Sequence, residues 1–290
     1  MWPLVTLTVG GAPDCRTGEA GFLDLALAAH EGRTVVARDY ATAPLAFRVT
    51  APPWPGPRML TGAVHGRVLA LGGGLLAGQS VYTSITVGQG ARASIGTVGA
   101  TVVHGAESGA VTHQSHRFHV GAGGLLVYLP DETIPCRGAR LAQQTEVTLE
   151  GGASLLYGEV LTPGRLWHGE RFAYHDLQLD LIVRDDRRPL LIDRATFCPA
   201  EGTLHAPGRL AGHTHLGTLA VFGPHAGRAL SEALHDLARS YGLTGSASPL
   251  YAGGVLLRLL GDTAQEIKAV LRQAVVTSLD LMAAASAEQR

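Results

Sequence analysis

The middle of the chain alternates apolar and polar positions with a period of two. Val81, Thr83, Ile85 and Val87 form one run, His116, Phe118 and Val120 a second, and Thr145, Val147 and Leu149 a third. Each run ends in a glycine-containing turn: Val87-Gly88-Gln89-Gly90-Ala91, Val120-Gly121-Ala122-Gly123-Gly124 and Leu149-Glu150-Gly151-Gly152-Ala153. The turns recur at offsets of 33 and 29 residues, and a second apolar stretch follows each. Period two gives a strand one buried and one solvated face. Glycine supplies the positive φ that a tight turn needs, so two runs around such a turn read as a hairpin. The expectation is a mainly β chain, a stacked β-hairpin or superhelical β-sheet architecture, with a small α-helical C-terminal part. Repeats of this length build extended surfaces that more often bind partners than perform chemistry.

Outside this region the pattern is mixed. Residues 23–29 fit a short helix, and 34–37 and 45–49 fit strands. The segment Ala51-Pro52-Pro53-Trp54-Pro55-Gly56-Pro57 forbids helix and marks a boundary. Residues 58–222 read as β almost throughout, with further turns at Gly72-Gly73-Gly74, Pro163-Gly164 and Asp185-Asp186-Arg187. The mixed segments Trp167-His168-Gly169-Glu170-Arg171-Phe172 and 188–194 read as strands with ion pairs across a sheet. From 226 to 241, Leu230, Ala233, Leu234 and Leu237 fall at helical spacing, with Gly242 as a C-cap. A buried strand is expected over 253–260. Asp262 then caps a long helix with an apolar stripe of Ile267, Val270, Leu271, Ala274 and Leu279, fraying at Glu288-Gln289-Arg290. This divides the chain into an N-terminal segment, 1–56, a β-rich body, 57–225, and a helical part with one strand, 226–290.

Composition narrows the function. A net charge of −1 gives no general pull toward nucleic acid. The 38 glycines lack a period of three, which excludes a collagenous chain. Cys15, Cys136 and Cys198 are odd in number and far apart, which fits a reducing cytoplasm better than a disulfide scaffold. The N-terminus has no basic and apolar leader pattern, and no apolar run is long enough to span a membrane. Lys268 is the single lysine, as expected from a bias toward arginine.

Candidate chemistry is sparse. Gly72-Gly73-Gly74-Leu75-Leu76-Ala77-Gly78 lacks both the following helix and the Gly-Lys-Ser/Thr of a phosphate loop. Of the clustered His113, His116 and His119, the outer two share a strand face but lie roughly 20 Å apart, and His116 points the other way. His213 and His215, at i and i+2, are the better-placed metal candidates, although two imidazoles need further ligands. Leu129-Pro130-Asp131-Glu132-Thr133-Ile134-Pro135-Cys136 sets two carboxylates and a thiol between prolines, as a conformationally fixed contact loop. The enzymatic alternative is a β-solenoid or sandwich hydrolase pairing Asp131 or Glu132 with Glu159 or Glu170.

The ordered segments resemble the urease accessory protein UreD family, called UreH in some bacteria. The resemblance is carried by Gly73-Gly74-Leu75-Leu76-Ala77-Gly78, Val87-x-x-Gly90-Ala91, Leu129 to Pro135 with Gly138-Ala139-Arg140-Leu141, and Gly164-Arg165. It continues through Gly169-Glu170-Arg171-Phe172, Pro189-Leu190-Leu191-Ile192-Asp193-Arg194 and Leu259-Leu260-Gly261-Asp262. It departs from the family at Gln79, at Cys136 and in the 96–101 strand. The resemblance implies a non-enzymatic, cytoplasmic scaffold for urease maturation. Its partners would be urease subunits, a UreF-type protein and, through the complex, a UreG-type GTPase, with neither nucleic acid nor membrane. A homologue that has lost the urease partner is the other reading. No cofactor is expected to bind tightly, and nickel would pass transiently. A conduit needs weak, successive contacts, since a tight site would trap the ion. Asp131, Glu132, Cys136, Glu159 and Glu170 are the candidates for such contacts or for partner binding.

Overall fold

The computed structural model describes residues 20–52, 57–202 and 204–288. Its strands are β1 (Ala20–His30), β2 (Arg33–Ala41), β3 (Leu45–Val49), β4 (Val64–Ala70), β5 (Ser80–Val87), β6 (Arg92–Thr97), β7 (Thr101–Val103), β8 (Thr112–Val120) and β9 (Leu125–Tyr128). They continue with β10 (Thr133–Pro135), β11 (Arg140–Leu149), β12 (Ser154–Leu161), β13 (Asp176–Arg184), β14 (Pro189–Phe197) and β15 (His215–Phe222). Helix α1 (Arg228–Ser240), strands β16 (Thr244–Pro249) and β17 (Val255–Gly261), and helix α2 (Ala264–Glu288) complete the chain. The chain is therefore mainly β and stacked, with a helical C-terminal part.

The stacking unit is an arch rather than a hairpin. β5, β8 and β11 lie in parallel in one sheet, with Ile85, Phe118 and Val147 in register. β6, β9 and β12, the strands after each glycine turn, lie in parallel in the other sheet, with Ile95, Tyr128 and Tyr157 in register. Each turn thus carries the chain from one sheet to the other. A hairpin would leave both apolar faces on one side of one sheet. The arch sets them against each other, and Val87, Ala91, Val120 and Leu126 are all fully buried. The glycine chemistry is the same in both cases, and only pairing with the next repeat distinguishes them. A short third ladder closes the coil: Leu75 bridges Val103 of β7, which pairs with Pro135 of β10, and Thr133 pairs with Leu161 of β12.

The parallel coil extends beyond the three repeats through β1, β13 and β4, and the antiparallel strands β2, β14, β3 and β15 cover its ends. The first sheet runs β14-β13-β11-β8-β5-β1-β2 and the second β16-β17-β15-β12-β9-β6-β4-β3. The segment 23–29 is strand, not helix. Leu23, Leu25 and Leu27 alternate inward, and β1 is held by β5 on one side and β2 on the other. A short Leu/Ala run fits either period, and pairing on both sides decides it. The expected strands at 34–37 and 45–49 fall within β2 and β3. Most of the proline-rich boundary lies outside the described residues.

The outer face of the second sheet is also apolar. Leu156, Leu219, Val221 and Leu257 pack under Leu230 and Leu234 of α1 and Ile267, Val270, Leu271, Ala274 and Leu279 of α2. Each fully buried Leu, Ile or Val contributes about 1.5–3 kcal/mol relative to exposure. Helix α1 ends at Tyr241 and Gly242, the latter at φ 71°. Helix α2 is capped by Thr263 rather than Asp262. The Thr263 hydroxyl accepts the Glu266 N–H at 3.3 Å and donates to the Glu266 carboxylate at 2.7 Å. Asp262 is drawn away by His213 and Thr214. Of the fraying expected at the C-terminus, Gln289 and Arg290 lie outside the described residues. No helix among those residues is long and apolar enough to cross a membrane.

Stacking leaves no room for a side chain at Gly121, where a Cβ would meet the Gln89 nitrogen at 2.8 Å and the Gly88 carbonyl carbon at 3.0 Å. Gly121→Ala is expected to destabilise the fold by about 1–3 kcal/mol, read as a lower urea midpoint with an unchanged m value. A midpoint equal to wild type would mean that the arches do not pack this closely.

Candidate functional site

The loops at one end of the coil gather most of the ionisable groups singled out above. Two prolines fix the 129–136 segment, and β10 docks between β7 and β12. Asp131 and Glu132 then face the first turns of α2, where Lys268 binds both, the Asp131 oxygen at 3.1 Å. All three side chains are about one-fifth exposed. Burial opposes charge on the ammonium, and the hydrogen bonds to Glu132 and Asp131 outweigh it, holding the Lys268 pKa above its usual value. Sequence reasoning treated Lys268 only as a compositional oddity. Its position as the sole lysine, one turn into a helix and far in sequence from its acidic partners, was the available signal.

His215 begins β15 beside this cluster. It is buried, its Nδ1 lies 2.7 Å from the Thr214 hydroxyl, and burial lowers its pKa against the pull of Asp262, Glu132 and Glu266. His213 precedes the strand, so the two imidazoles do not share one strand face. His213 bonds Asp262 at 3.3 Å and Thr244 at 3.0 Å. Among the described residues, no group of three or more His, Cys, Asp or Glu is arranged to hold a metal ion.

Glu170 and Cys136 form a second cluster. The segment 167–172 is a turn rather than a strand, with a short 3-10 helix at Leu166–His168. Gly164 at φ 129° and Gly169 at φ 69° force the chain to reverse. The Glu170 carboxylate accepts two bonds from the Arg165 guanidinium, at 2.7 and 2.8 Å, and one from the Arg137 N–H at 3.0 Å. The Arg165 bonds, against desolvation and aided by Arg137, hold the Glu170 pKa down to about 2. Burial pushes the Cys136 thiol up, opposed by Arg165 and reinforced by Glu170, so it stays a thiol rather than a nucleophilic thiolate.

Glu159 stands apart, between the sheets on β12. It accepts hydrogen bonds from the Tyr157 hydroxyl at 3.0 Å and Gln143 at 3.1 Å, and Tyr157 meets Thr145 at 3.2 Å. Desolvation raises its pKa despite these bonds. Tyr128 stacks on Tyr157 with centroids 5.8 Å apart, and His116 lies beyond it, buried with Nδ1 unpartnered. Toward the sheet edge, Asp193 of β14 pairs with Arg258 of β17. A track of polar groups therefore crosses the sandwich interior, invisible in a sequence where Tyr128, Gln143 and Tyr157 sit on three strands.

The candidate carboxylates have separate partners. Asp131 and Glu132 are held by Lys268, Glu170 by Arg165, and Glu159 by Tyr157 and Gln143, so each candidate pair is split between separate partners. A small pocket of about 10 Å³ lies elsewhere, lined by Thr50, His65, Arg67, Ser94 and Leu129 among others, without a carboxylate.

The class is a stacked, largely parallel β protein with ion-paired groups gathered at one end of the coil. The chain belongs to the UreD family: the model of the UreD urease accessory protein matches residues 19–289. It is 33% identical over 268 residues to a urease accessory protein UreD of Sorangium cellulosum, covering 90% of this chain and 81% of that protein. A urease accessory protein UreD 2 of Streptomyces griseus is 34% identical over 267 residues, 89% of each chain. A urease accessory protein UreD of Cenarchaeum symbiosum is 31% identical over 256 residues, covering 87% of this chain and 88% of that one.

Proposed function

We propose that this chain is a non-enzymatic scaffold of urease maturation in the cytoplasm. It binds apo-urease and a UreF-type protein, is joined through that complex by a UreG-type GTPase, and assists delivery of nickel as cargo to the urease active site. The observation that carries this reading is the family match across nearly the whole chain, with relatives named as urease accessory proteins. Two features support it. Each candidate carboxylate is paired with a cation or with amide and hydroxyl groups, which suits recognition and weak transient contact more than bond cleavage. The interior track of Glu159, Tyr157, Gln143 and Thr145 offers successive single contacts rather than a closed cage.

The test is co-expression of the tagged chain with urease, UreF-type and UreG-type subunits, with nickel supplied. Stable co-purification and urease activity that depends on this chain are expected. Full activity without it, or no complex with any subunit, would overturn the reading.

A further inference from the structure

Trp167 is the one tryptophan among the described residues, and its side chain is fully exposed at 101%. Leu166 beside it is 43% exposed. Tryptophan is the residue type most enriched among binding hot spots, and a rigid turn can hold it ready for a partner's pocket. This turn is tightly held. The Phe172 N–H donates to the Pro163 carbonyl at 2.7 Å and closes the loop at its neck, and within it Glu170 and His168 donate to the Arg165 carbonyl at 3.1 and 2.9 Å. The buried Glu170 carboxylate grips Arg165 and the Arg137 backbone. Phe172 itself is forced to φ 52°, a conformation that costs energy for a residue with a Cβ, and is held there by edge contact with His205 at 5.2 Å. The tryptophan is therefore presented without the ordering cost that a free loop would incur on binding.

The turn that carries it is rich in arginine. Arg137 and Arg171 are exposed and Arg165 half-exposed, while Glu170, the carboxylate among them, is turned inward. The net charge of the whole chain is −1, so this cationic rim is a local feature. A cationic rim is complemented by carboxylates on the occupant and repels an identical cationic rim, so a different, acidic partner fits it better than this same face of a second copy.

We propose that Leu166 and Trp167 form a preformed anchor for a protein partner that offers an apolar pocket rimmed by carboxylates. The assignment rests on the scaffold reading above and adds to it the surface through which the chain is held.

Purified full-length chain, wild type and Trp167→Ala, Arg171→Glu and Tyr251→Ala variants, would be titrated separately with apo-urease and with the UreF-type subunit. Tyr251, exposed at 103% on another turn, is the control. For one of the two proteins, Trp167→Ala is expected to weaken binding roughly 30-fold or more. Arg171→Glu should weaken it less and reduce its salt dependence, and Tyr251→Ala should leave it unchanged. Wild-type binding with Trp167→Ala within about twofold of it overturns the anchor and leaves the scaffold reading standing. Wild type that binds neither protein overturns both. A Trp167→Ala chain that changes only its own oligomeric state in sedimentation also overturns the anchor, by assigning the surface to a second copy.

Discussion

As pH falls from 6.5 toward 4, this protein should lose about 3 kcal/mol of folding stability through His116 alone. The imidazole lies between Phe118 and Tyr128, with centroid distances of 5.8 and 5.7 Å, and desolvation holds its pKa down to about 4 from its ordinary value of 6.5. In the unfolded chain the ring takes up a proton near 6.5, whereas in the folded chain it resists until about 4. Between those values the unfolded state binds more protons, so stability falls as pH falls. His65 and His215, also lowered by burial, add to the same trend. Glu159 works against it: its raised pKa means that acidification relieves a cost of keeping it charged inside. The clean measurement is the difference in unfolding free energy between wild type and His116→Phe across this range. The difference should shift by about 3 kcal/mol in favour of the variant at pH 4 relative to pH 7. A flat difference would show that the folded protein protonates His116 freely.

The second large effect is expected at Leu271→Ala, at about 2–5 kcal/mol. Leu271 is fully buried in the layer between α2 and the outer face of the second sheet. Truncation removes its transfer energy and leaves a cavity that the sheet, closely packed on its other face, can close only in part. Because α2 carries Lys268 to Asp131 and Glu132, loosening the helix also loosens the end cluster. A chemical denaturation curve checks the magnitude. A loss below about 1 kcal/mol would place α2 as a loosely attached tail.

Much of the site lay hidden for a physical reason. Asp131, Glu132 and Glu170 stood out as charges beside prolines and glycines, but their partners Lys268 and Arg165 are set by how α2 and the 162–172 turn fold back. Lys268 is 137 residues from Asp131. Trp167 looked like part of a strand because Trp-His-Gly-Glu-Arg-Phe alternates. Its fate was decided by the positive φ at Gly164 and Gly169 and by the closure from Phe172 to Pro163. His213 and His215 shared a strand face in the linear pattern, yet β15 starts only at His215, because Asp262 and Thr244 hold His213 in the preceding turn.

The sequence by itself determined the mainly β class, the recurrence of the coil, the inward positions of each repeat, the two C-terminal helices and the family. Those follow from local periodicity and from glycine and proline chemistry, which act over a few residues. Tertiary structure alone decided that each glycine turn crosses between sheets, that Leu23, Leu25 and Leu27 belong to a strand, and which cation meets which carboxylate. Those outcomes depend on pairing between residues dozens of positions apart. There, burial of opposed apolar faces and desolvation of charges decide among local conformations that the sequence leaves nearly equal.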